Sequence, residues 1–203
     1  MSLLLLPTYF PSISQFAAIA QSDKLTLEVC DSFQKQTNRN RMYIYSPNGR
    51  QLLNVPVKHD ATQRRMTRDV RIDNSFGWQK QHFKSLEAAY RSSPFFEYFE
   101  DRFTPVFTQK HEFMMDLNLL SMSLAAGCIG IDLQFSETKE YFHEAPDFTD
   151  LRYMANGKKD ASELEPYTQV FGDKHGFLNN LSILDLIFNE GRHAKDYLLR
   201  QTI

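Results

Sequence analysis

Ser2-Leu3-Leu4-Leu5-Leu6-Pro7-Thr8-Tyr9-Phe10-Pro11-Ser12-Ile13-Ser14-Gln15 is the stretch that decides the fold class. Its first five residues form a short apolar run, the pattern of a strand buried on both faces. Each proline disfavours helix for its predecessor, so Pro7 to Pro11 reads as a loop. Ser12 and Gln15 have the spacing of a capping box, and Phe16, Ile19 and Ala20 give the helix that follows an inward face. Strand, loop and helix in that order open an α/β domain, and the helix start offers backbone N–H groups to an anion.

Working outward, Lys24 to Cys30 alternates as a strand does, with Leu25, Leu27 and Val29 on one side. Lys35-Gln36-Thr37-Asn38-Arg39-Asn40-Arg41 follows: three cations and four amide or hydroxyl side chains, without an acid. Met42 to Tyr45 and Gln51 to Val57 read as strands joined at Ser46-Pro47-Asn48-Gly49, a strong hairpin signal. The basic motif therefore lies at the entrance of a hairpin, where loop side chains can point out together. It reads as the polar lip of an anion site, with Lys35, Arg39 and Arg41 binding anionic groups and Gln36 and Asn40 orienting them. A solvated turn accounts for the same residues. Asp60 to Arg68 is polar and basic, either a loop closing over a site or an ordinary surface loop, and Asp69 to Asp73 reads as a brief strand.

The second half is helical. Trp78, His82, Leu86 and Tyr90 recur every fourth residue in a helix over 78–91, which puts His82 on the apolar stripe. On spacing alone a core histidine bonded to a neighbour ranks ahead of a catalytic base. Ser93-Pro94 opens another helix, and Phe113, Leu117, Leu120 and Leu124 form a stripe closing at Gly127. Ile129 to Phe135 is a candidate strand, Ser136 to Pro166 a long acidic loop, and Tyr167 to Phe171 a short edge strand. A final helix runs from Asn180 toward Arg200 with a break at Gly191, and Ser182 and Asp185 are spaced as an N-cap and its partner. The expected architecture is α/β: a mixed sheet with an N-terminal strand-loop-helix unit and a β-hairpin, packed by several helices, in one domain over 1–203.

Composition narrows the function. A net charge of −2 over 203 residues disfavours general nucleic-acid binding, which draws its affinity from phosphate neutralisation. The charge is lopsided: residues 33–84 hold eleven Lys/Arg against three Asp/Glu, and residues 85–173 hold seven against sixteen. The basic block favours an anionic small molecule, phosphorylated or carboxylate-bearing, or else docks on the acidic half of the same chain. Cys30 and Cys128 are too few for a disulfide framework and not spaced for zinc, no phosphate-binding glycine loop is present, and no metal or cofactor is expected. No segment reaches the length of a membrane span. The leucine run at the start lacks the basic region and cleavage site of a secretory signal, so a cytoplasmic protein is expected.

Several stretches together resemble the WbqC-like protein family: Pro7-Thr8-Tyr9-Phe10-Pro11, the motif Lys35 to Arg41, Leu53-Asn54-Val55-Pro56-Val57, Trp78 with His82, Tyr90 with Pro94-Phe95-Phe96, and Phe177 to Leu186. The form with Lys-Gln-Thr and Arg-Asn-Arg looks like the branch found in Bacteroidetes. Many relatives have His-Gln before the first proline, where this chain has Leu5-Leu6. The resemblance implies a place in O-antigen or other surface-polysaccharide assembly, and a transferase of a small acyl or glycine-like group onto a sugar. It implies proton transfer by His82, Tyr9 or Tyr90, His82 first because its ordinary pKa lies nearest neutrality. A non-catalytic protein that binds a nucleotide or glycan precursor uses the same basic motif equally well.

Overall fold

The computed structural model describes residues 2–58 and 65–203. β1 (Ser2–Leu5) is an inner strand, paired in parallel with β2 (Leu25–Leu27) on one side and β6 (Phe148–Asp150) on the other. That position explains its unbroken leucines, since an inner parallel strand is covered on both faces. β5 (Phe135–Glu137) pairs in parallel with β2, giving the strand order β5-β2-β1-β6. α1 (Ile13–Ala20) makes the crossover from β1 to β2. β3 (Arg41–Ser46) and β4 (Gly49–Asn54) form the hairpin as a separate antiparallel sheet. The mixed α/β architecture read from the sequence is therefore present, its strands divided between two sheets.

Helices α2 (Trp78–Tyr90), α3 (Phe96–Thr108) and α4 (Met114–Ile129) pack the hairpin and the turn after β1 into the main core. A short α5 (Gly172–His175) precedes α6 (Ile183–Glu190) and α7 (Ala194–Arg200), which are separated by a 3-10 turn at Gly191–His193 where the break was expected. No described helix is long and apolar enough to cross a membrane.

Several local expectations differ. Asp69 to Asp73 forms only isolated bridges, Val57 with Ile72 and Arg71 with Phe113. α4 runs past Gly127 and ends at Gly130, whose φ of 71° is the left-handed conformation that glycine adopts without strain. The acidic stretch 136–166 contributes β6, a three-residue strand of Phe, Thr and Asp too short to display a period. Tyr167 to Phe171 forms no strand; Tyr167 and Gln169 turn their side chains to Asp185. Ser182 caps α6 through Leu184 N, and Asp185 faces inward rather than back at the cap. Of the expected loop at 60–68, residues 60–64 lie outside the described residues, and Thr67–Asp69 is a 3-10 turn.

Gly191 fixes the angle between α6 and α7. Its φ is +56°, and a Cβ placed there lies 2.7 Å from two carbons of the Phe95 ring. Gly191→Ala should cost about 3 kcal/mol in urea unfolding, from backbone strain plus overpacking. A loss below roughly 0.5 kcal/mol, the range of an uninvolved surface site, contradicts that close approach.

Candidate functional site

The turn between β1 and α1 is held by a buried amide. Asn118 of α4 donates through Nδ2 to Pro7 O at 3.1 Å and to Arg39 O at 2.8 Å. Tyr9 N donates to Asn38 O at 3.0 Å, and Asn38 N to Ala155 O at 2.8 Å. Three segments are thereby zipped together: the β1–α1 turn, the basic motif, and the 3-10 turn Arg152–Ala155 after β6. Ser12 caps Gln15 N as expected, but the Gln15 side chain returns to Thr8 and Leu6 instead of Ser12 N. The first helical amides are filled by the protein itself: Ile13 N by Leu181 O and Ser14 N by Asn180 Oδ1.

The five side chains proposed for ligand binding diverge from this backbone. Lys35 and Gln36 lie exposed on the bend before it. Arg39 is 3% exposed and gives Nε and Nη2 to Asp31 Oδ2 at 2.9 and 2.6 Å and Nη1 to Thr37 Oγ1. Burial raises the Asp31 carboxyl above its ordinary value, against the pull of Arg39. Asn40 Nδ2 donates to Asn54 Oδ1 and Val55 O, which ties the motif to β4. Arg41 is half-buried, its Nε 3.4 Å from Asn54 Oδ1.

Two cavities flank the zipped segments. The larger, about 570 Å³, opens beyond the carboxyl ends of β1, β2 and β6, with Leu6, Cys30, Asp31, Arg39, Tyr141, His143, Asp150, Arg152, Asn156 and Lys159 on its walls. In open parallel sheets this is where ligands bind, at the point where the chain switches sides of a central strand. Arg152 forms a fork with Asp150 at 2.9 and 2.6 Å and reaches the fully buried Glu28 at 3.3 Å. The Tyr141 ring packs against the Arg152 guanidinium and meets His143 edge-on. Lys159 carries the charge on this wall that no carboxylate pairs among the described residues. The smaller cavity, about 240 Å³, lies on the other side of the motif and is bordered by Ser12, Asn38, Arg41, Arg50, Asp160 and Asn180. No group of three or more His, Cys, Asp or Glu suited to a metal ion occurs among the described residues.

The three groups proposed for proton transfer border neither cavity. Tyr9 and His82 form a pair, Tyr9 Oη to His82 Nδ1 at 3.2 Å, while His82 Nε2 lies 3.2 Å from Asn54 O. A carbonyl only accepts, so Nε2 carries the proton and Nδ1 accepts from Tyr9. Burial lowers the His82 pKa to about 4, and burial also raises that of Tyr9. Tyr90 belongs to a second buried group: its hydroxyl donates to Asp185 Oδ1 at 2.8 Å, while Tyr167 and Gln169 donate to Oδ2. Arg50 and the crevice residues Tyr141, His143, Arg152 and Lys159 are not singled out by sequence reasoning, and Asn38 is read there only as part of the basic motif. For Arg50 a signal existed: a two-residue loop at Pro47-Asn48 pairs it with Tyr45, on the face that carries Arg41.

Arg39→Ala should destabilise the fold by about 3–5 kcal/mol, because it leaves the Asp31 carboxylate buried without its partner; an unchanged urea midpoint contradicts this. His82 gives a pH test. Its folded pKa lies below the ordinary 6.5, so the unfolded chain binds the proton first and stability falls as pH drops from about 6.5 to 4. The loss amounts to roughly 3 kcal/mol. The stability gap between wild type and His82→Gln should therefore narrow over that range, and a constant gap contradicts a buried neutral imidazole.

Comparison with known proteins agrees with the sequence motifs. The chain is 26% identical to the uncharacterised protein Rv1507c of Mycobacterium tuberculosis (strain H37Rv), over 94% of each chain. No solved structure matches it. The WbqC-like protein family profile matches residues 7–159, which include the β1–α1 turn, the basic motif, the hairpin and the β6 segment. The chain belongs to the WbqC-like protein family.

Proposed function

We propose that the protein is a cytoplasmic transferase that moves a small acyl or aminoacyl group, glycine-like in size, onto a sugar intermediate of O-antigen or other surface-polysaccharide assembly. The observation that carries this reading is the crevice at the carboxyl ends of β1, β2 and β6, of a volume suited to a small-molecule substrate. The Arg152–Asp150 pair offers fixed donors and acceptors there, the buried Arg39–Asp31 pair stiffens the wall, and Lys159 adds positive charge for a phosphate or carboxylate on the activated donor. The family's association with surface glycans supports the pathway assignment, and this reading places the chain in the Bacteroidetes-type branch of the family. The chain acts as one domain in this reading.

Direct attack by the acceptor is the economical mechanism. The acceptor hydroxyl or amine attacks the activated carbonyl carbon, a new C–O or C–N bond forms, and the bond to the leaving group breaks. The acceptor proton passes to a base. His143 borders the crevice and takes that proton; the Tyr9–His82 pair and Tyr90 border neither cavity and in this reading act by holding the core behind it. Leu6 also borders the crevice, so at a position where many relatives carry a polar side chain this wall is apolar. Of the motif residues Lys35, Gln36, Arg39, Asn40 and Arg41, Arg39 borders the crevice, with its guanidinium held by Asp31 and Thr37.

A second reading, a non-catalytic nucleotide- or glycan-precursor-binding protein, is favoured by one observation: both nitrogens of His82 are engaged in the core. One experiment separates the two. Nucleotide sugars, acyl donors and amino acids are screened for a shift in melting temperature, and pairs that bind are assayed for transfer by mass spectrometry. The transferase reading predicts ligand-dependent stabilisation that Tyr141→Ala and Lys159→Ala reduce, and turnover that His143→Ala lowers about 10²-fold or more without unfolding. Binding without transfer supports the second reading, and no binding by any class overturns both.

A further inference from the structure

The outer face of the hairpin places two cations over the smaller cavity. Arg41 and Tyr43 of β3 share that face with Arg50 of β4, and the Arg50 guanidinium lies 4.1 Å above the centre of the Tyr43 ring. Among the described residues neither Arg41 nor Arg50 is paired with a carboxylate. This sets them apart from Arg39 and Arg152, whose charge the protein neutralises itself. Arg41 makes one long bond through Nε, to Asn54, which leaves its terminal nitrogens available.

The floor supplies a third donor. Asn38 is 9% exposed and borders the cavity, and its side-chain amide has no hydrogen-bond partner among the described residues, although its backbone N–H and C=O are both used. The amide keeps contact with the solvent of the cavity, so an occupant there can take a bond from it in place of water. Asp160, on the facing wall, does not bond that amide. Its Oδ1 accepts from Ser162 N and Oγ, and its Oδ2 from Ser14 Oγ and Asn180 Nδ2, so its oxygens are directed into the protein. Two guanidinium groups against one hydrogen-bonded carboxylate leave the cavity with net positive charge. Its volume, about 240 Å³, is below that of a site for a drug-sized ligand, so the occupant is compact or enters with one end group only.

We propose that this cleft is an oxyanion site, in which Arg41 and Arg50 clamp the phosphate or carboxylate group of a compact ligand and the Asn38 amide donates a further bond. The site is separate from the crevice but shares its wall. Asn38 and Arg39, Asn156 and Gly157, and Lys159 and Asp160 are consecutive residues that border opposite cavities. An anion held by Arg41 and Arg50 thus sits across a wall one residue thick from the ligand of the crevice. The proposal stands on the charge and geometry of the cleft and does not require the transferase reading.

The test is isothermal titration of the full chain with inorganic phosphate and, separately, with citrate, at low and high sodium chloride. One of the two anions should bind with one-to-one stoichiometry and weaken with salt. Arg41→Ala, Arg50→Ala and Asn38→Ala should each reduce affinity about tenfold, the equivalent of one charge-assisted hydrogen bond, and the double arginine variant should abolish binding. Arg41→Lys, which keeps the charge and loses the fork, should retain part of the affinity. Both arginines reach solvent, so these variants should melt within a few degrees of wild type, a check made on each by circular dichroism. Phosphate tighter than citrate assigns a phosphoryl group, and the reverse assigns a carboxylate. Failure of both anions to bind, or binding that survives loss of both arginines, overturns the proposal. Phosphate binding that falls with Tyr141→Ala and Lys159→Ala while the arginine variants keep it would place the ion in the crevice; that result sinks this cleft and leaves the crevice reading intact.

Discussion

One side-chain amide, Asn118 Nδ2, bridges the carbonyls of Pro7 and Arg39 inside the protein, and the wall between the two cavities depends on that bridge. It holds the turn after the central strand against the basic motif, and Tyr9 N to Asn38 O adds a second tie. With the backbone fixed there, the side chains of the motif part to two sides. Arg39 turns toward the crevice and pairs with Asp31; Asn38 and Arg41 turn toward the smaller cleft. The motif is therefore a partition between two cavities rather than the lip of one.

The partition also explains how the basic charge is used. Removing an arginine from water is costly unless an acid goes with it. Arg39, which is nearly inaccessible, has that acid in Asp31, and Arg152 has Asp150 and Glu28. Arg41 and Arg50 keep contact with solvent on the outer face of the hairpin and need no internal partner, so their charge remains available to a ligand. For these four arginines the division between structural and available cations follows their depth.

Much of the fold was legible because it rests on strong local signals. The leucine run, the Ser12 cap, the Pro-Asn-Gly turn and the four-residue stripe of α2 each specify an element by themselves. β6 was not legible: Phe148-Thr149-Asp150 has neither length nor alternation, and it becomes a strand because β1 offers an open edge. The same limit applies to the site. Spacing put His82 on the apolar stripe, and it is in the core, but spacing has no means of naming Tyr9 as its partner seventy-odd positions away. The charge of Arg39 read as free because Asp31 lies eight residues before it across an irregular loop. The crevice residues 141–159 fell in a stretch that lacks periodicity, and only the pairing of β6 with β1 brings them beside Leu6 and Cys30.

The rigidity of the partition is the claim on which both cavities rest, and native-state amide hydrogen exchange reads it directly. The Tyr9 and Asn38 amides, bonded to Asn38 O and Ala155 O, should exchange only through global unfolding, with opening free energies equal to that of the slowest core amides of α4. If those two amides exchange through local openings several kcal/mol cheaper than global unfolding, the turn and the motif are not held together, and the two-cavity arrangement fails with them.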